Sequence, residues 1–430
     1  MVTMRIATFS LDVTPPVGAQ MAYEVNTKVD TPIFIRGLLV EDGTSRAVIV
    51  SCDYIGIYGR AWHEWREAVA QACETPADLV FLHSIHQHDS MRIAPWMNEF
   101  MRASGTVAVD DAYCETTLRN LQEAASDAVR GRWQTVDTLM TAEARMSGLA
   151  SSRRMIGEDG KSFAGRFSMC DDRDLQAFPV GTIDPFLRTI AFARSDGHIL
   201  AAVHTYACHP MAAYMRQMVS QDVPGVALAH ARASAGEDVF QMYLTGCAGD
   251  VSFGKYHLGD KEKTLAMLGR RLGDGMIRNL ARLDEKPIGP VGSWTADFEF
   301  PLDPAIAREA SSSAVEEADD ERQLMRAAFR HGIAQDWDLL SKCPVSLLSL
   351  GDHVHLLSMP GEACVEYQLY AQSLVPERFL ACAAYSDVGY AYIPTASMYE
   401  EGGYEPRASI ATPEVEARLK SAVRELVGRI

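Results

Sequence analysis

The 430-residue sequence has no Cys-x-x-Cys pair; its nine cysteines are spread singly and their total is odd. That pattern argues against a disulfide framework, and a reducing compartment is the better match. No uninterrupted apolar run reaches the ~20 residues that a membrane-spanning helix needs. The opening Met1-Val2-Thr3-Met4-Arg5-Ile6-Ala7 lacks the apolar core of a signal peptide, so a cytoplasmic chain without a membrane anchor is expected. Positive charge is in deficit: 40 Lys and Arg face 57 Asp and Glu, a net charge of -17. That balance argues against nucleic acid or an anionic membrane as partner and for a soluble protein, and leaves the expected small-molecule substrate unidentified. Also missing are low-complexity tracts, Gly/Ser linkers and a repeat of fixed period. One α/β unit over residues 1–430 is expected, with 290–430 as the candidate C-terminal subdomain; oligomeric state stays open.

What is present is a strand-and-helix alternation. With 47% hydrophobic residues the chain can bury a large core. Residues 5–12 alternate as a strand and stop at Asp12-Val13-Thr14-Pro15-Pro16-Val17-Gly18. A hairpin is expected over 34–41 and 47–52, a helix over 62–73, and a buried strand over 78–82. Further on, the pattern predicts a helix over 111–130, a strand over 136–146 and a loop over 150–182. Strands over 189–194 and 199–206 follow, then a helix to 233, a strand over 239–244 and a helix over 261–283. A strand from about 290, a polar helix from 304 to about 332, two strands around Gly351, a helix over 363–374, a strand over 379–385 and a terminal helix from Pro413 complete the pattern. The expected fold class is α/β, a mixed multilayer sheet core with flanking helices.

Several strand ends finish in reactive side chains: His86 and His88, His209, Ser252, Glu362 and Tyr392. In α/β sheets the carboxyl ends of strands are where ligands bind. His86 and His88, two apart at the end of a strand, are expected to point the same way, because side chains of an extended segment alternate. Imidazole is the commonest metal ligand, and this corner is read as half of a metal site. The loop Gly246-Cys247-Ala248-Gly249-Asp250-Val251-Ser252 is read as presenting backbone N–H groups and a hydroxyl, or as an ordinary glycine turn.

Taken in order, Asp12-Val13-Thr14-Pro15-Pro16-Val17-Gly18, the His-x-His corner, Asp184-Pro185, Cys208-His209-Pro210, Gly249-Asp250-Val251-Ser252, Pro360-Gly361-Glu362 and Tyr392-Ile393-Pro394-Thr395 resemble the neutral/alkaline, non-lysosomal ceramidase family. The resemblance implies a short form without the C-terminal immunoglobulin-like domain. It implies one zinc ion per chain, with His86, His209, Glu362 and Tyr392 as metal ligands. It implies Ser252 as nucleophile or orienter of the attacking water, His88 as an acid/base group, and Arg153 beside the substrate, with Arg154 an almost equal candidate. Departures at Asp89-Ser90-Met91, at Ser152-Arg153-Arg154 and at Ala363-Cys364-Val365 alter the surroundings of the ligands and put ceramide itself in doubt as substrate.

The expectation is a zinc-dependent hydrolase that uses metal-bound hydroxide to cleave the amide bond of a small soluble N-acyl compound. An esterase or lactonase on the same site, and a catalytically silent metal-binding relative, are the alternatives. Iron or manganese would accept the same donors.

Overall fold

The computed structural model describes residues 3–131, 133–236, 238–309 and 320–430. β1 (Met4–Asp12) pairs antiparallel with β2 (Phe34–Glu41), and β2 with β3 (Arg46–Cys52). The chain crosses over through α1 (Arg60–Ala72) and returns as β4 (Val80–Ser84), parallel to β3. α2 (Asp111–Gly131) then packs on α1 and β1, and β5 (Gln134–Val136) extends the sheet beside β1.

The same path is taken twice more. β6 (Thr138–Arg145), β7 (Phe186–Ala193) and β8 (Ile199–Tyr206) form an antiparallel meander; α3 (Asp222–Ala235) leads to β9 (Phe240–Thr245), parallel to β8. α4 (Lys261–Leu280) packs on α3 and β6, and β10 (Asp284–Lys286) joins the β6 edge. In the third unit β11 (Val291–Glu299) is followed by α5 (Glu321–Gln335). β12 (Lys342–Leu350) and β13 (Val354–Ser358) continue the meander, and α6 (Val365–Leu374) leads to β14 (Phe379–Ala383), parallel to β13. α7 (Val415–Val427) packs on α6 and β11.

Side chains on the two faces of each sheet belong to different cores, as the period of two requires. Ile6, Ile49, Val203, Met242, Leu356 and Ala381 share one interior drawn from all three sheets. Neighbours such as Ala7, Val48 and Leu357 face the helices in a second cluster. Strands covered on both faces read as continuous apolar runs, which is why most were visible in the sequence.

The expected α/β class holds, and most elements lie within a few residues of their expected bounds. The expected strand over 136–146 is two strands in two sheets, split where the Asp137 N–H turns to the Ala193 carbonyl at 2.9 Å. The expected loop over 150–182 contains short strands at Ser151–Ser152, Arg154–Ile156 and Ser162–Gly165 and the helix Arg173–Ala177. Of the polar helix expected from 304, Pro304–Glu309 and α5 are observed; residues 310–319 lie outside the described residues. No repeat was visible in the sequence, yet the connectivity recurs three times. The long connections after β1, β6 and β11 fold differently in each unit and hide the period. No helix among the described residues is long and apolar enough to cross a membrane.

The three parallel edge strands meet at their carboxyl ends. Ser84 N donates to Tyr385 O at 3.0 Å, Ala384 N to Thr245 O at 2.9 Å, and Thr245 Oγ1 to Ile85 O at 2.6 Å. His83, on β4, adds a bond from Nδ1 to Ala384 O at 2.9 Å. The candidate site lies directly beyond this ring.

Candidate metal centre

β4 ends at Ser84, so strand alternation does not aim His86. His86 instead takes φ 67°, in the left-handed region that non-glycine residues seldom occupy. Its N–H donates to Tyr54 O at 2.9 Å and its Nδ1 to Ile55 O at 2.5 Å. A carbonyl can only accept, so Nδ1 carries the proton and Nε2 presents a lone pair. His209 follows β8; its N–H donates to Val251 O at 3.1 Å and its Nδ1 faces Ala248 O at 3.3 Å. That leaves Nε2 buried with no hydrogen-bond partner.

Glu362 follows β13 in a two-residue parallel pairing with Tyr392–Ile393, in which Glu362 and Tyr392 are register partners. A Cβ on Gly249 would stand 2.3 Å from Glu362 O, so the loop after β9 reaches this position only as glycine. Glu362 Oε2 lies 3.2 Å from His86 Nε2 and 3.9 Å from His209 Nε2 and has no hydrogen-bond partner. Three lone-pair atoms thus face one another with no donor between them, an arrangement that a cation would satisfy.

His88 joins them. Nitrogens of His86, His88 and His209 all lie within 4.8 Å of one another, the one such group of potential metal-binding side chains among the described residues. The His88 ring stacks on Tyr23 (centroids 5.7 Å apart) and its Nδ1 is also without a partner. Burial, then the neighbouring His86, hold His88 well below the usual imidazole range. Burial does the same to His209, with His86 and His88 adding to it. Both rings are therefore neutral at pH 7, as metal binding requires. The geometry thus brings His88 inside the cluster, where the resemblance had placed it outside the ligand set.

The remaining expected residues are near but differently engaged. The Arg153 guanidinium lies 5.1 Å over the Tyr392 ring, and its Nε donates to Glu405 Oε1 at 2.8 Å. Burial pushes the Tyr392 phenol up, against the pull of Arg153. Arg154 turns away, to Glu401 Oε2 at 2.8 Å, Gly402 O at 2.8 Å and the second oxygen of Glu405. Of the two candidate arginines it is Arg153 that lies over Tyr392. Ser252 is fully buried; its Oγ donates to Arg166 O at 2.7 Å and accepts from Gly254 N at 3.2 Å.

Sequence reasoning passed over Tyr385, Glu405, Tyr58 and Arg92. Tyr385 stacks on His86 at 4.4 Å and 15°, with φ 59° of its own. Glu405 neutralises both Arg153 and Arg154. Tyr385 closes the apolar run of its strand, which was the only available signal. The others sit in segments with no distinguishing pattern.

A cleft of ≈ 530 Å³ opens over Glu362 and Tyr392, a volume suited to a small ligand. Met97, Met325, Phe329, Val388 and Ile410 form its apolar wall.

Fold and cluster together define an α/β protein of three mixed sheets with a buried histidine–carboxylate centre at the carboxyl ends of its strands. The fold is that of the neutral ceramidases. The neutral ceramidase from Pseudomonas aeruginosa superposes with a TM-score of 0.73 at 16% identity, over 100% of this chain and 75% of that one. A ceramidase complexed with C2 gives a TM-score of 0.74 at 14% identity, over 99% and 75%. No family model and no curated relative matches the chain.

Proposed function

We propose that the protein is a zinc-dependent hydrolase that cleaves the amide C–N bond of a small N-acyl compound. The observation that carries this reading is the meeting of His86 Nε2, His209 Nε2 and Glu362 Oε2 as buried, mutually facing lone-pair atoms. The ceramidase-like fold supports it. His86, His209 and Glu362 would hold the metal, with the Tyr392 phenol beside them; the nitrogen and oxygen donors suit zinc. Bound there, the ion supplies a Lewis acid for the amide carbonyl and lowers the pKa of a water molecule.

The chain's own groups do the rest. The carbonyls of Ile55 and Ala248 fix the tautomers of His86 and His209, so that both Nε2 atoms stay free of protons. His88, neutral and adjacent, takes the proton that the attacking water gives up and returns it to the departing amine nitrogen. The C–N bond breaks as the new C–O bond to the acyl carbon completes, leaving a carboxylate and an amine. Tyr392, under the Arg153 guanidinium, would donate its phenolic hydrogen to the carbonyl oxygen as charge builds there. Ser252 has its proton engaged with the Arg166 carbonyl, which favours a positioning role over direct attack.

Elemental analysis of the purified protein tests the ligand assignment. Roughly one zinc per chain is expected, falling below about a tenth of that in His86→Ala and in His209→Ala. Turnover of N-acyl and O-acyl forms of one compound tests the bond. Cleavage of the ester alone would make the protein an esterase, and zinc with no turnover of either would favour a silent relative.

A further inference from the structure

Four arginines, Arg92, Arg326, Arg330 and Arg407, line the cleft over Glu362 and Tyr392. Glu362 is the only acidic residue among the described lining residues, and the reading above commits its carboxylate to a cation. In a chain of net charge -17, this cluster sets a locally positive field against the overall charge.

Of the arginines buried elsewhere, Arg153, Arg188 and Arg216 are neutralised by Glu405, Asp184 and Asp89, and Arg166 is held by a set of backbone carbonyls. Arg92, Arg326 and Arg407 of the cleft have neither a carboxylate nor such a set of carbonyls among the described residues. Arg92 Nη1 has the Met325 thioether as acceptor at 2.9 Å, and its guanidinium sits 5.8 Å over the Tyr23 ring and beside the Tyr58 phenol. Thioether sulfur is a weak acceptor. Arg407 Nε donates to Gly403 O at 2.7 Å, and Arg326 is exposed on α5. Among the described residues no carboxylate pairs with Arg92, Arg326 or Arg407. Guanidinium forks without a carboxylate, converging on a cleft, are receptors for planar or tetrahedral oxyanions. The apolar residues between them, Met325 and Phe329 among them, take a hydrocarbon portion.

We propose that the substrate is an amide bearing both an apolar acyl group and an anionic group, a carboxylate or a phosphate-type oxyanion, which Arg92, Arg326 and Arg407 hold. This rests on the amidase reading of the same site.

Binding is tested apart from catalysis with analogues that cannot be hydrolysed. They are a ketone in which methylene replaces the amide nitrogen of N-octanoylglycine, its phosphonate counterpart, and the neutral alcohol of the same length, each titrated calorimetrically into zinc-loaded protein. At least one anion is expected to bind about tenfold or more tightly than the alcohol, and the gap to shrink by about that factor in Arg92→Gln and Arg326→Gln at unchanged zinc content. The order of carboxylate and phosphonate identifies the oxyanion. Equal binding of the alcohol, or a gap that survives in both variants, overturns the assignment. Turnover is read separately on N-octanoylglycine and N-octanoylethanolamine. If neither is cleaved while the anions bind through the arginines, the amidase reading fails and the anion site stands.

Discussion

His86 and Tyr385 each sit two residues beyond a parallel edge strand, each with a left-handed backbone, and their rings stack. Such conformations persist in non-glycine residues only where the surroundings over-determine them. Here the Tyr54 and Ile55 carbonyls fix one and the Gly361 carbonyl, accepting from Tyr385 N at 3.0 Å, fixes the other. His88 is bound less tightly into this frame, and its two available roles separate cleanly. His88→Ala is expected to keep its zinc and lose about 10²- to 10⁴-fold in kcat, the range for a missing acid/base group. Loss of zinc on metal analysis would make His88 a ligand instead.

Asp387 belongs to the same scale. Its Oδ1 accepts from Gly59 N at 2.8 Å and Gly389 N at 2.7 Å, while Oδ2 is buried with no partner. Burial, only partly opposed by these two bonds, pushes its carboxyl up from 3.8 to about 7. A folded-state pKa above the unfolded value means that the protonated form favours folding. That contribution is complete below pH 3.8 and is lost as pH rises through 7, amounting to ~2–4 kcal/mol over the whole window. Asp387→Asn keeps the Oδ1 acceptor and cannot ionise. The melting temperature of the variant minus that of the parent should therefore rise from pH 5 to pH 8; a flat difference would mean that Asp387 stays ionised in the folded protein.

At the scale of elements, α5 forms one side of the cleft and is anchored by aromatic contacts. Phe329 packs on Tyr58 and Trp96, with centroids 6.1 and 6.2 Å apart, and His331 meets Phe100 at 4.5 Å. Gly332 lies against the Trp96 ring, where a Cβ would come within 2.0 Å of Cζ3. Glycine inside a helix costs stability relative to alanine, and the close approach explains its presence. Gly332→Ala should push α5 off Trp96 and raise KM several-fold. Overpacking costs ~1–3 kcal/mol, and α5 seats Leu324, Ala328 and Ile333 in the core, so a lower melting temperature should accompany the higher KM. Unchanged KM would remove α5 from the substrate path.

This is also the scale at which the sequence was most and least legible. Strands β3, β8 and β9 are buried on both faces, so their apolar runs announced them. The split at Asp137 was hidden because both halves are extended, follow one another directly and differ only in their partners. The proposed metal donors were legible as motifs in a fixed order. The roles of Arg92, Tyr385 and Glu405, and the place of α5 beside the cleft, were not, because each is set by contacts with a different unit of the fold.

On the scale of the whole molecule, three copies of one connectivity contribute unequally to one centre. The segments after β8 and β13 supply His209 and Glu362, while the segment after β3 supplies Asp53, which is held by Arg36 at 3.0 Å and takes no part in the centre. The segment after β4 supplies His86. The centre thus depends on how the units are joined, and the joints can be tested one at a time. Thr245 Oγ1 donates to Ile85 O at 2.6 Å, linking the second unit to the residue before His86. Ser51 Oγ donates to Tyr243 O at 2.6 Å across the same two units, away from the centre. Thr245→Val and Ser51→Ala each leave a buried carbonyl without its side-chain donor, and each should cost ~1–3 kcal/mol in denaturant unfolding. Only Thr245→Val should also weaken zinc binding, because only it frees the backbone that sets the His86 conformation. Equal zinc affinity in the two variants would show that the joint stabilises the fold without aligning the centre.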